Sequence, residues 1–326
     1  MPYLRARSLA GLAASLAFAL SIGLLTASPS AAADPEAWLL DADRTELRQS
    51  PVFHLPAPEP DPIPSPTPSP TPSPTPTTTP EQPEAVGFDV SYPQCGRDLP
   101  EPGAFSVVGV NGGRVFDVNP CLVGAEATEG LLEWAGASTE LYFNTGNPGP
   151  RWSHHWPSGT IHPRECETGP DSVRDTLDCA FNYGWNGAEH GYRAAVDAYV
   201  ELGWLDDHED RLPAGTAVWL DVEEANSWRS ERDRNVAALQ GAVSYLESMG
   251  LSRIGFYSTP RLWDRITGGT DVFAEYPAWH AGASDRADAE RRCVEEEAFT
   301  GGELAMVQWI EGALDHNVRC EDIEAG

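Results

Sequence analysis

From residue 85 onward, short apolar runs of strand length alternate with longer amphipathic stretches. The runs fall at 86–91, 105–110, 141–144, 217–223, 253–258, 277–281 and 304–310. Between them, Ala195, Val196, Tyr199 and Val200 recur at helical spacing and predict a helix over 192–202. A second helix is predicted over 235–249, with Gly250 as its C-terminal stop. Strands alternating with helices argue for a parallel sheet. Seven or more strands in this length favour a closed (β/α) barrel over a layered sheet. After Pro277 the strand-like runs follow one another with little helix between them, which predicts a barrel whose last part is irregular.

Side chains in a strand alternate faces, so Trp219, Asp221 and Glu223 share one side of the 217–223 run. Val218, Leu220 and Val222 share the other. The first run follows the same logic, with Gly87, Asp89 and Ser91 on one face and Phe88 and Val90 opposite. Asp315 follows the Val307-Gln308-Trp309 run and supplies a further acid at a strand end. If these strands belong to one parallel barrel, Asp89, Asp221, Glu223 and Asp315 converge at its mouth, where such folds carry their active sites. Taken alone, Asp221 and Glu223 are also compatible with a cap or ion pair, and Asp315-x-Asn317 with turn chemistry.

Residues 1–33 contain Arg5 and Arg7, an apolar run from Leu9 to Leu25, and three alanines before Asp34. This is the pattern of a secretory signal peptide, with a retained anchor as the rival. No later run is long and apolar enough to span a bilayer, so no stable membrane insertion is expected once the signal is removed. Residues 34–84 predict a disordered linker, and its Pro-Ser-Pro-Thr repeats, from about Pro56 to Pro83, predict an extended spacer with a reach on the order of 80 Å. That leaves 85–326 as one folded domain.

Composition narrows the choice of partner. Against 50 acids stand 21 basic residues, all arginine, for a net charge of −29. Such a charge repels nucleic acid and anionic membrane. The absence of lysine is the bias of a GC-rich bacterial genome. Six cysteines (Cys95, Cys121, Cys166, Cys179, Cys293 and Cys320) in an exported chain predict three disulfides. Six allow 15 pairings; the expected set joins sequence neighbours, Cys95 with Cys121, Cys166 with Cys179 and Cys293 with Cys320.

Without a patterned histidine or cysteine, clustered carboxylates suit hard-cation binding or glycosidic acid–base chemistry. Like charges in a cleft raise the proton affinity of one member, which keeps a carboxylic acid protonated near neutral pH. Aromatic residues are plentiful enough to line a sugar cleft. His154, His155 and His162 read as a solvated loop rather than a metal site, and Asn111-Gly112-Gly113 as a tight turn. No metal or cofactor is expected.

Several segments, GFDVS at 87–91, WLDVE at 219–223, GFYST at 255–259, PAWHAG at 277–282, VQW at 307–309 and Asp315-x-Asn317, resemble the glycoside hydrolase family 25 lysozymes. The resemblance implies a modified barrel, five β/α units followed by three strands, that cleaves after N-acetylmuramic acid in peptidoglycan. It implies Glu223 as general acid, Asp221 as the carboxylate that orients the substrate's acetamido group or stabilises the cation, and Asp89 and Asp315 as flanking acids. Tyr92, Asn144, Tyr257, Trp279 and Gln308 are the candidates to contact sugar. The chain departs from the family at 107–113 and in the long segment from Asn144 to Phe181, which suggests a divergent, actinobacterial-type branch and leaves the sugar open. The expected protein is a monomer, secreted or held at the cell wall, that hydrolyses a wall glycan. The competing readings are a non-catalytic glycan-binding barrel and a calcium-stabilised module.

Overall fold

The computed structural model describes residues 86–125, 128–169 and 173–323. The expected signal segment and proline-rich spacer lie outside the described residues. Eight strands close a barrel in sequence order: β1 (Val86–Val90), β2 (Ser106–Gly109), β3 (Glu140–Asn144), β4 (Ala217–Asp221), β5 (Arg253–Ser258), β6 (Ala278–Ala283), β7 (Leu304–Glu311) and β8 (Leu314–Arg319). The first seven are mutually parallel. β8 runs antiparallel to both β7 and β1.

Helix α1 (Leu131–Ala135) follows β2, α2 (Leu177–Glu201) follows β3, α3 (Arg232–Ser248) follows β4, α4 (Pro260–Thr267) follows β5 and α5 (Arg286–Glu295) follows β6. Only a 3-10 turn, Tyr92–Gln94, is regular between β1 and β2. Two helices differ from the sequence expectation. α2 begins fifteen residues ahead of the predicted 192, because its first half is rich in glycine and asparagine and shows little apolar period. α5 stands where little helix was expected. Asp285 caps it by accepting from the Asp288 amide at 2.9 Å, and Arg286–Glu290 and Arg291–Glu295 pairs run along its surface.

Alternation along each strand sorts the side chains. Val108, Leu141, Phe143, Val218, Leu220, Ile254 and Phe256 face outward into a core shared with the helices. Inside the barrel, Val107, Trp219, Trp279 and Met306 form an apolar middle layer, with the two indoles edge-on at 5.7 Å. Gly255 leaves room for Trp219, whose ring would lie 2.3 Å from any β-carbon there. Below this layer Glu140 is buried yet paired, accepting from Arg253 at 2.9 Å, Arg319 at 2.8 Å and the Trp219 indole at 2.7 Å. This floor makes the lumen a packed core that opens only at the far end.

On the outside, α2 and α3 pack closely. A β-carbon on Gly184 would sit 1.7 Å from the Ala238 carbonyl, and one on Gly241 1.9 Å from that of Phe181. Three disulfides join Cys95 to Cys121, Cys166 to Cys179 and Cys293 to Cys320, the expected set. Among the described residues no helix is long and apolar enough to cross a membrane.

Candidate active site

The four acids come from three distant stretches of chain. Asp89 is the fourth residue of β1, Asp221 ends β4 and Glu223 follows two residues later, each at the C-terminal end of a parallel strand. Asp315 reaches the same end because β8 is reversed. β7 turns through Gly312 (φ +66°) and Ala313 straight into β8, so the start of β8 lies level with the end of β1 and Asp315 pairs in register with Asp89. Asp315 is therefore a strand residue just past a tight turn.

These acids line one cleft of about 340 Å³ together with Tyr92, Asn144, Tyr257, Trp279 and Gln308. All nine residues expected at the site from the sequence lie in it. Inward-pointing positions supply most of them, as the parity of Trp219, Asp221 and Glu223 requires.

A chain of directed hydrogen bonds orients the β1, β7 and β8 side. The Trp279 indole donates to Asn317 Oδ1 at 2.8 Å, and Asn317 Nδ2 donates to Asp89 Oδ2 at 2.7 Å. The Tyr257 hydroxyl donates to Gln308 Oε1 at 2.9 Å, which turns the Gln308 amide to donate to the same Asp89 oxygen at 2.9 Å. On the β4 side, Asn144 Nδ2 donates to Asp221 Oδ2 at 2.5 Å, and Asn144 is itself held by its backbone amide donating to Asn111 Oδ1 at 2.9 Å. Asp221 Oδ1 is buried and has no hydrogen-bond partner.

Burial raises the proton affinity of every acid in the cluster, and repulsion from a neighbouring acid adds to it at Asp89, Asp221 and Glu223. Burial first, then the charge of Asp315, pushes Asp89 up to about 7, although the Asn317 and Gln308 donors oppose the shift. Burial, then the charge of Glu223, pushes Asp221 up to about 8 against the pull of Asn226 and Asn144. Glu223 is raised by burial first and then by the charge of Asp315. Asp315 is raised by burial. Burial also lifts the Tyr257 phenol well above 10, so it remains a donor. The cluster therefore holds protons at neutral pH, which is what protonation of a leaving oxygen requires.

Sequence reasoning missed Tyr142, Asn226 and Asn317 as cleft or supporting residues. Tyr142 and Asn317 stand two positions from Asn144 and Asp315, so strand parity alone would have found them. Asn226 lies in the loop after β4, and no local pattern marks it. Among the described residues no group of three or more His, Cys, Asp and Glu side chains is arranged to hold a metal ion.

Among solved structures, a muramidase from Trichobolus zukalii is 15% identical, with 72% of this chain and 92% of that one covered and a TM-score of 0.38. A family GH25 lysozyme from Aspergillus fumigatus is 14% identical over 72% and 93%, with a TM-score of 0.40. Two curated relatives from Dictyostelium discoideum, probable GH family 25 lysozymes 4 and 2, are 39% and 38% identical over 64 residues, 20% of this chain. The chain spans 29% of the length of each. Residues 211–297, which carry β4 through α5 and hence Asp221, Glu223, Tyr257 and Trp279, match the family described as lysozyme-like protein 1. Over these residues the chain is similar to lysozyme-like proteins and to the curated GH family 25 lysozymes.

Proposed function

We propose that the protein is an exported glycoside hydrolase that cleaves bacterial peptidoglycan or a closely related amino-sugar polymer. Four carboxylates at one barrel mouth, with Asp221 Oδ1 buried and unpartnered beside Glu223, carry this reading. A pure binder gains little from burying several like charges, whereas an acid catalyst needs the raised proton affinity they create. Three disulfides suit a protein that works in an oxidising space outside the cytoplasm. In this scheme residues 1–33 direct export and 34–84 form a spacer ahead of the catalytic domain.

The roles separate by access. Asp221 is only 5% exposed, while Glu223 is half-buried and open to the cleft. Two acids this strongly linked share their protons as a unit. When a substrate acetamido N–H donates to the Asp221 carboxylate, Asp221 is favoured as the ionised partner and the proton resides on Glu223. Glu223 then protonates the leaving glycosidic oxygen. The acetamido carbonyl oxygen attacks the anomeric carbon as that bond breaks, and Asp221 stabilises the positive charge that develops on the ring so formed. Water opens the ring in the second step, with Glu223, now ionised, taking its proton. Asp89, fixed by Gln308 and Asn317, and Asp315 shape the field around the pair.

Release of reducing ends from purified peptidoglycan by the wild type and by Glu223→Gln tests the assignment. A loss of about 10² to 10⁴ in kcat is expected on removing a general acid. Unchanged release by the variant removes Glu223 from the role. A wild type that binds insoluble wall material yet frees no sugar supports the binding module instead.

A further inference from the structure

Beside the acid-lined cleft lies a second cavity of about 440 Å³, which shares Gly113, Ala225 and Asn226 with it. The loops after β2, β3 and β4 build it, with Tyr183 of α2 behind them. Its volume lies in the usual range for ligand pockets. Its chemistry differs from that of the cleft, which four carboxylates line. Arg114, His154 and His155 line it, and Asp117 is the one acid among its described lining residues. The rest of the chain is strongly acidic, at a net −29. Arg114 is exposed and forms no ion pair among the described residues.

The cavity also offers flat rings. The His155 imidazole stacks on Phe116 at 4.1 Å between centroids. Trp152 is 74% exposed, and the Arg151 guanidinium lies 5.0 Å from its ring. Such an indole on a frayed loop would mean little, but this loop is braced from behind. Cys166–Cys179 ties it to α2. The fully buried Asn182 donates to Thr160 at 2.9 Å and to the Arg164 carbonyl at 2.7 Å. The Trp156 indole donates to the Arg174 carbonyl at 2.7 Å, and Asp175 accepts from Arg229 at 2.6 Å. A preformed wall that presents an indole loses little ordering entropy when a ligand covers it.

We propose that this cavity is a second subsite, continuous with the cleft, that binds the neighbouring unit of the glycan and selects one bearing a carboxylate. Trp152 stacks on the sugar face, while Arg114, flanked by His154, pairs with the carboxylate. The proposal rests on the hydrolase reading only in taking a glycan as the ligand. The carboxylate belongs either to the sugar itself or to a peptide attached to it, and both present the same group to Arg114.

Calorimetric binding to the Glu223→Gln protein separates these cases. The probes are a neutral N-acetylglucosamine oligomer, a peptide-free wall fragment with its sugar carboxylate, and the same fragment with its peptides. Adding Arg114→Ala should weaken one or both carboxylate-bearing fragments roughly tenfold, the loss expected for a charge-assisted contact, and should change the neutral oligomer by less than about twofold. The fragment that loses more identifies the source of the carboxylate. Adding Trp152→Ala should weaken all three. Both side chains are exposed, and unchanged melting temperatures should exclude misfolding. Equal Kd values with and without Arg114→Ala, or an equal loss on all three probes, overturns the proposal. So does full affinity in the Trp152→Ala protein. Because the readout is binding, a wild type that hydrolyses nothing sinks the catalytic reading alone. Hydrolysis by the wild type together with unaltered binding in the Arg114→Ala protein sinks the subsite alone.

Discussion

Asp221 meets two opposed demands: it is almost wholly buried, and it sits two residues from a second acid. Its folded proton affinity is raised from an ordinary 3.8 to about 8. Between those values the folded state holds a proton that the unfolded chain releases. Stability is therefore fully present below about pH 4 and declines as pH rises to about 8. Asp221→Asn removes this titration and still accepts from Asn144. The variant should gain on the wild type by a few kcal/mol in going from pH 4 to pH 8.5, while its rate of reducing-end release collapses. Melting temperatures at the two pH values check the first part; a constant difference between variant and wild type sinks the linkage. This is the usual exchange of stability for function at a site that stores like charge.

At the scale of elements, the strands were the most legible parts and the helices the least. Seven apolar runs became seven strands because the β period of two is read over a few residues. β8 was harder to see: Leu314-Asp315-His316-Asn317 carries polar residues on the lumen side, and only the hairpin with β7 makes it a strand. The first half of α2 hides its helical character in Gly184, Gly187 and Gly191, small residues chosen for contact rather than for apolar surface. Gly184→Ala should force α2 away from the Ala238 carbonyl. A cost of about 1–3 kcal/mol is expected, in line with overpacking elsewhere, although alanine is the better helix former. Urea unfolding reads this directly, and a stabilised variant would show that the helices separate without strain.

For the whole molecule, the closing seam joins the chain's last strand to its first, and Cys293–Cys320 pins α5 beside that seam. Replacing both cysteines by serine should lower stability by roughly 3 kcal/mol, the usual worth of a loop of this size. Reducing-end release at room temperature should persist, because neither cysteine lines the cleft. An unchanged urea midpoint would show that strand pairing alone holds the seam. By itself the sequence determined the local order: which faces of which runs are apolar, where acids stand relative to those faces, how many cysteines must pair, and the motifs that resemble a family. These are properties of near neighbours along the chain, set by backbone geometry and composition. Only the tertiary structure decided that β8 returns antiparallel, that residues 89, 221, 223 and 315 share one cleft, which of their oxygens is left without a partner, and that an aromatic cavity carrying Arg114 adjoins them. Those depend on barrel closure and on desolvation by groups hundreds of residues apart, which no local pattern encodes.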